Sequence, residues 1–69
     1  MAAINIFING ESREVPEEIR LDRLLELFSL PQQRIAIELN DGVVRRSSWP
    51  EIIVRDRDKI EVVHFVGGG

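Results

Sequence analysis

Sixty-nine residues, 43% hydrophobic and 30% charged, predict one small soluble domain with a single core; so short a chain buries only about 60% of the surface its unfolded form exposes, which leaves little for a deep substrate cleft and argues against self-contained catalysis. Nine Lys and Arg against twelve Asp and Glu give a net charge of −3, the wrong sign for a protein held by nucleic-acid phosphates. The absence of cysteine removes disulfides, thiolate metal sites and a cysteine nucleophile, and the longest apolar run, residues 1–4, is far below the roughly 18 residues of a membrane span, so the expectation is a cytoplasmic protein with neither a nucleic-acid nor a membrane partner.

Ile4, Ile6 and Ile8 alternate with Asn5, Phe7 and Asn9, a period of two that predicts a strand over residues 3–9 with one isoleucine face turned inward. Asn9-Gly10 tolerates the positive φ angles of a type I′ turn, so residues 11–15 return antiparallel as a second strand. After Pro16, Leu21, Leu24, Leu25 and Phe28 recur at helical spacing and predict one amphipathic helix over residues 21–29, stopped before Pro31. Ile35, Ile37 and Leu39 restore the period of two, and Asn40-Asp41-Gly42 turns the chain toward Val43 and Val44, giving two more short strands. Ser47, Ser48 and Pro50 mark an irregular connection whose Trp49, Ile52 and Ile53 are expected to cap one open end of the core. A polar turn over residues 55–59 leads into a β-branched last strand over residues 60–66, followed by Gly67, Gly68 and Gly69.

This order predicts an α+β fold: a mixed sheet covered on one face by one main helix, with the first and last strands parallel in the middle and the helix in the long crossover. That arrangement is the β-grasp, or ubiquitin-like, fold. The expected division is a folded body over residues 1–66 and a flexible glycine tail over residues 67–69.

The chain resembles the ThiS family of ubiquitin-like sulfur carriers of thiamine biosynthesis along essentially its whole length. The residues that carry the resemblance are Asn9-Gly10-Glu11 at the first hairpin, the leucine-rich helix, Ile35-Ala36-Ile37-Glu38-Leu39-Asn40, Trp49 before Pro50, and the ending Val63-His64-Phe65-Val66-Gly67-Gly68-Gly69. Gly68-Gly69 is the diglycine signature. The resemblance implies that the chain is not an enzyme but a co-substrate. An E1-like adenylyltransferase (ThiF-type) using ATP and Mg²⁺ adenylates the Gly69 carboxylate. Sulfur from a donor such as a cysteine desulfurase then gives a thiocarboxylate, which passes its sulfur to thiazole synthase (ThiG-type). No cofactor is expected on the chain itself.

The glycines fit that role sterically, since residues without Cβ pass through a narrow channel, and at about 3.3 to 3.6 Å per residue three of them reach roughly 10 Å from the body. Strand alternation turns Phe7, Ala36, Val63 and Phe65 away from the helix, and such an apolar set on an open sheet face is expected to bind a partner together with Gly67 and Gly68. His64, the only histidine, shares a strand face with Ile60 and Val62 and is expected to be half-buried, packed at the core edge or contacting a partner, rather than to catalyse or ligate. Ser12, Ser29, Ser47 and Ser48 lack a base and belong to turns. Asp56, Asp58 and Glu61, interleaved with Arg55, Arg57 and Lys59, read as a solvated turn rather than a metal site. Arg45-Arg46 has a minor docking role at most. Three other functions remain open: the small subunit of molybdopterin synthase, a MoaD-like sulfur carrier separated by its partner; a ubiquitin-like protein modifier, separated by covalent adducts; and a plain interaction module, for which loss of Gly69 changes nothing.

Overall fold

The computed structural model describes residues 2–65. In chain order the elements are strands β1 (Ala3–Ile8) and β2 (Glu11–Pro16), helix α1 (Leu21–Leu27), strands β3 (Ile35–Leu39) and β4 (Gly42–Val44), a 3₁₀ helix (Arg46–Glu51) and strand β5 (Lys59–His64). The five strands form one sheet in the order β2-β1-β5-β3-β4. β1 and β5 run parallel; every other neighbouring pair is antiparallel. The fold is the expected mixed sheet under one helix.

The strands follow the alternation that predicts them. Ile6, Ile8, Ile60 and Val62 turn inward with Ile35 and Ile37 against Leu21, Leu24 and Leu25, and Val15, Trp49 and Val54 close the same core. The core is wholly apolar, with no buried polar or charged residue among those described. Ile4 is half-buried at the start of β1.

Turn chemistry sets the hairpins. Asn9 and Gly10 have φ of 49° and 83°, the two positive values of a type I′ turn, and Asn40 and Asp41 repeat the pattern at 50° and 72° between Leu39 and its partner Gly42.

Two departures from the predicted elements have local causes. The helix ends at Leu27 rather than at residue 29, because Ser29 turns left-handed at φ 55°. The Ser29 amide donates to the Glu26 carbonyl at 3.0 Å and the Leu30 amide to the Leu25 carbonyl at 2.8 Å, a Schellman closure of the last turn. The connection after β4 is an ordered 3₁₀ helix, in which Trp49 is buried and its indole N–H reaches the Val44 carbonyl at 3.4 Å. Ile52 packs against the core beside it, but Ile53 is 41% exposed, its backbone paired with Arg20. The predicted cap at this end is therefore Trp49 and Ile52 without Ile53. β5 runs from Lys59 to His64 rather than over residues 60–66, with Phe65 described beyond its end; residue 66 and the glycines at 67–69 lie outside the described residues.

Candidate functional site: the outer sheet face

With α1 on one face, the sheet leaves its other face open, and the residues between the core positions line it. Phe7 is 41%, Val63 44% and Phe65 56% exposed, while Ala36 is half-buried. All four stand on the predicted side, but the register does not gather them into one patch. Ala36 lies directly opposite Val63 across β3 and β5. Phe65 follows two residues later, its amide donating to the Arg34 carbonyl at 2.8 Å, so the β3–β5 pairing carries on past the end of the strand. Phe7 is in register with Lys59, four residues before Val63 on β5, which sets it about 13 Å away along the strand at 3.3 Å per residue. Ala36, Val63 and Phe65 thus form one apolar tract, and Phe7 stands apart.

Between them runs a charged row, with Glu38 directly opposite Glu61. Lys59, two residues earlier on β5, reaches Asp41 across the neighbouring turn at 3.0 Å. The hydrogen bond and charge of Asp41 raise the Lys59 ammonium above its ordinary 10.5, with Glu61 and Glu38 adding to the effect against the opposing pull of desolvation.

Asn9 and Asn40 hold β5 in this register. The β1–β5 pairing is short: the Phe7 amide donates to the Asp58 carbonyl and the Asn9 amide to the Ile60 carbonyl, each at 2.9 Å. Where β1 has already turned away, the Asn9 side-chain oxygen accepts the Val62 amide at 2.8 Å, so a side chain replaces the next rung of the ladder. On the other flank the Asn40 side-chain oxygen accepts the Lys59 amide at 2.9 Å, and its Nδ2 donates to Asp58 at 3.0 Å. Sequence reading recognised both asparagines as turn formers only. The side-chain bonds become visible once β5 is laid beside β1 and β3.

Of the remaining polar candidates, Asp56, Asp58 and Arg46 make contacts that serve the fold. His64 is exposed, not half-buried as expected, because the inner face of β5 runs out of cover after Val62 even though the opposite residue, Ile35, is buried. Asp56 accepts the Asn5 amide at 2.9 Å and Asp58 the Arg55 amide at 2.8 Å, so both carboxylates cap the turn into β5. No group of three or more His, Asp or Glu among the described residues is arranged to hold a metal. Arg46 lays its guanidinium over the Trp49 ring, 4.9 Å from the centroid, which gives one member of the Arg45-Arg46 pair a cation–π contact. Ser12, Ser29 and Ser47 are exposed and Ser48 half-buried. Gly67, Gly68 and Gly69 fall outside the described residues. Phe65, one residue past the end of β5, is the last described position.

The model of the ThiS family matches residues 6–69. The chain belongs to the ThiS family. A thiamine biosynthesis protein (ThiS) of Geobacter metallireducens has the same fold, with a TM-score of 0.84, 30% identity and coverage of 96% of this chain and 100% of that one. The sulfur carrier protein ThiS of Bacillus subtilis is 39% identical over 46 residues, 67% of this chain and 70% of that protein. A thiazole synthase of Paramagnetospirillum magneticum is 35% identical over 66 residues, which are 96% of this chain and 20% of that enzyme. The chain spans about a fifth of the length of the curated thiazole synthases it matches.

Proposed function

We propose that the protein carries sulfur for formation of the thiamine thiazole, with the Gly69 carboxylate as its working group. The observation that carries this reading is the family match, which runs through residue 69 and so includes Gly68-Gly69. The exposed Val63 of β5 and Phe65 just beyond it, with Ala36 of β3 opposite Val63, support it, since a carrier must be gripped close to the group it presents. The matches to a thiamine biosynthesis protein and to thiazole synthases favour the thiamine reading over the molybdopterin one.

A carboxylate is a poor electrophile, because its charge repels nucleophiles and oxide is a poor leaving group. In the proposed cycle the adenylyltransferase directs the Gly69 carboxylate onto the α-phosphorus of ATP, releasing pyrophosphate and leaving an acyl-adenylate. Sulfide released from the donor by a thiol reductant attacks the acyl carbon and displaces AMP, giving the thiocarboxylate. Thiazole synthase takes up that sulfur, and the carboxylate returns for another round. This chain contributes no acid or base to these steps: it contributes an end that enters another protein's active site and a body that stays outside. Ordering the end on binding costs about 1 to 2 kcal/mol per fixed residue, and contacts on the body offset that cost.

Intact mass spectrometry tests the reading. After incubation with ATP, Mg²⁺, the adenylyltransferase and a sulfur source, the mass is expected to rise by the replacement of one oxygen by one sulfur, confined to Gly69 on fragmentation. An unchanged mass, or a covalent conjugate to lysine, contradicts it.

A further inference from the structure

An activated carboxyl group is an electrophile that a free amine attacks. Lysine supplies such an amine whenever its ammonium gives up a proton, whereas the guanidinium of arginine stays protonated in proteins. The chain has nine basic residues, and Lys59 is the only lysine among them. Lys59 opens β5, at the end of the strand opposite the one that leads to the glycines. Phe65 lies six residues farther on, about 20 Å at 3.3 Å per residue, while the four residues from 66 to 69 span at most about 14 Å. The lysine side chain does not lean back along the strand to close that gap. Its Nζ is 3.0 Å from Asp41, in the turn after Leu39, and Leu39 is opposite Ile60 in an antiparallel pair, so the turn lies beyond Lys59 on the side away from Phe65. β1 runs parallel to β5 with Phe7 opposite Lys59, which puts Ala3 farther still from Phe65. The basic residue beside the base of the terminal segment is instead Arg34, exposed, with its carbonyl accepting the Phe65 amide at 2.8 Å.

We propose that the body protects its own activated end from amine attack, by placing arginine at position 34 beside that end and holding its one lysine at the far end of the sheet on Asp41. The inference rests on the sulfur-carrier reading, in which Gly69 is activated as an acyl-adenylate. The reaction withheld is attack of a neutral lysine amine on the acyl carbon: an amide bond forms, the bond to AMP breaks, and the amine proton passes to solvent. Such a reaction closes the chain on itself or joins two copies, and either product is lost to sulfur transfer. Asp41 restrains the same amine chemically as well as by position. Its hydrogen bond and charge raise the Lys59 ammonium above the ordinary 10.5, so a smaller share is neutral at a given pH. Lys59, Asp41 and Arg34 thus bear on whether the activated end meets sulfur or the chain's own nitrogen.

The test incubates the full chain with ATP, Mg²⁺ and the adenylyltransferase but no sulfur source. Pyrophosphate release confirms activation, and intact mass with peptide mapping reads the products. The parent is expected to show only the acyl-adenylate and the returned carboxylate. Arg34→Lys, which retains the charge, is expected to add a species lighter than the parent by one water and linked between residues 34 and 69, at about tenfold or more above any amide in the parent. Arg57→Lys, which adds an amine at the far end beside Lys59, is expected to add none. In Asp41→Asn, which suits the left-handed backbone at φ 72°, Lys59 is expected to be acetylated by an N-hydroxysuccinimide ester about two to five times faster than in the parent, the range for an exposed ion pair. Amide at Lys59 of the parent or at position 57 matching that of Arg34→Lys overturns the inference, as does pyrophosphate release without any amide in Arg34→Lys. Equal acetylation of Lys59 in the parent and Asp41→Asn overturns the part given to Asp41. No pyrophosphate release from the parent overturns the carrier reading beneath it instead.

Discussion

At Asn9 one residue combines a left-handed backbone, φ 49°, with a side-chain oxygen that accepts the Val62 amide at 2.8 Å. Asparagine tolerates that backbone and supplies the acceptor, whereas glycine supplies only the first and aspartate retains both. Replacing Asn9 by alanine is expected to lower stability by about 1 to 3 kcal/mol, since it strands the Val62 amide where β1 has no rung to offer. Hydrogen exchange gives the finer check: the Val62 amide exchanges faster in Asn9→Ala and Asn9→Gly but stays protected in Asn9→Asp. Lys59 has a pH signature of its own. Its folded pKa is raised above 10.5, chiefly by Asp41, so the stability it contributes is fully present below that value and lost as pH climbs through the folded pKa. Both partners are exposed and the contribution is small. Denaturation of Lys59→Gln beside the parent is expected to show a constant small deficit through neutral pH that closes above 10.5.

Helix α1 shows what a hydrophobic period conveys and what it omits. Leu21, Leu24 and Leu25 are fully buried, as their spacing requires, but spacing says nothing of where the last turn closes. Ser29 closes it, in a backbone region that costs an L-residue about 1 to 2 kcal/mol and that glycine enters freely. Ser29→Gly is accordingly expected to raise stability by about 1 kcal/mol in chemical denaturation. Strand alternation was equally informative and equally limited. It assigns each residue of β1, β3 and β5 to a face, and Phe7, Ala36, Val63 and Phe65 stand on the face it gives them. It cannot give the offset between neighbouring strands, because shifting β5 by two residues preserves every face. The distance from Phe7 to Val63 and the meeting of Glu38 with Glu61 therefore appear only with the register. Ile53 and His64 depart from the pattern for a related reason, since each lies where an apolar face continues in sequence but its cover does not.

On the scale of the molecule, the crossover between β1 and β5 contains the helix and leaves the opposite sheet face bare, so the topology that builds the core also produces the open outer face. β5 belongs to both: Ile60 and Val62 enter the core while Glu61 and Val63 face outward. The strand that leads to the glycines is thereby fixed at the sheet's centre, between β1 and β3. A partner that grips the outer face grips the base of the segment it must receive. The carrier reading separates two tasks: recognition by the body and chemistry by the last carboxyl group. The most direct test is thiazole formation with a semisynthetic chain whose Gly69 ends in a carboxamide. The account predicts synthase binding like that of the parent, no thiocarboxylate and no thiazole; thiazole made at the parental rate from the amidated chain would contradict it.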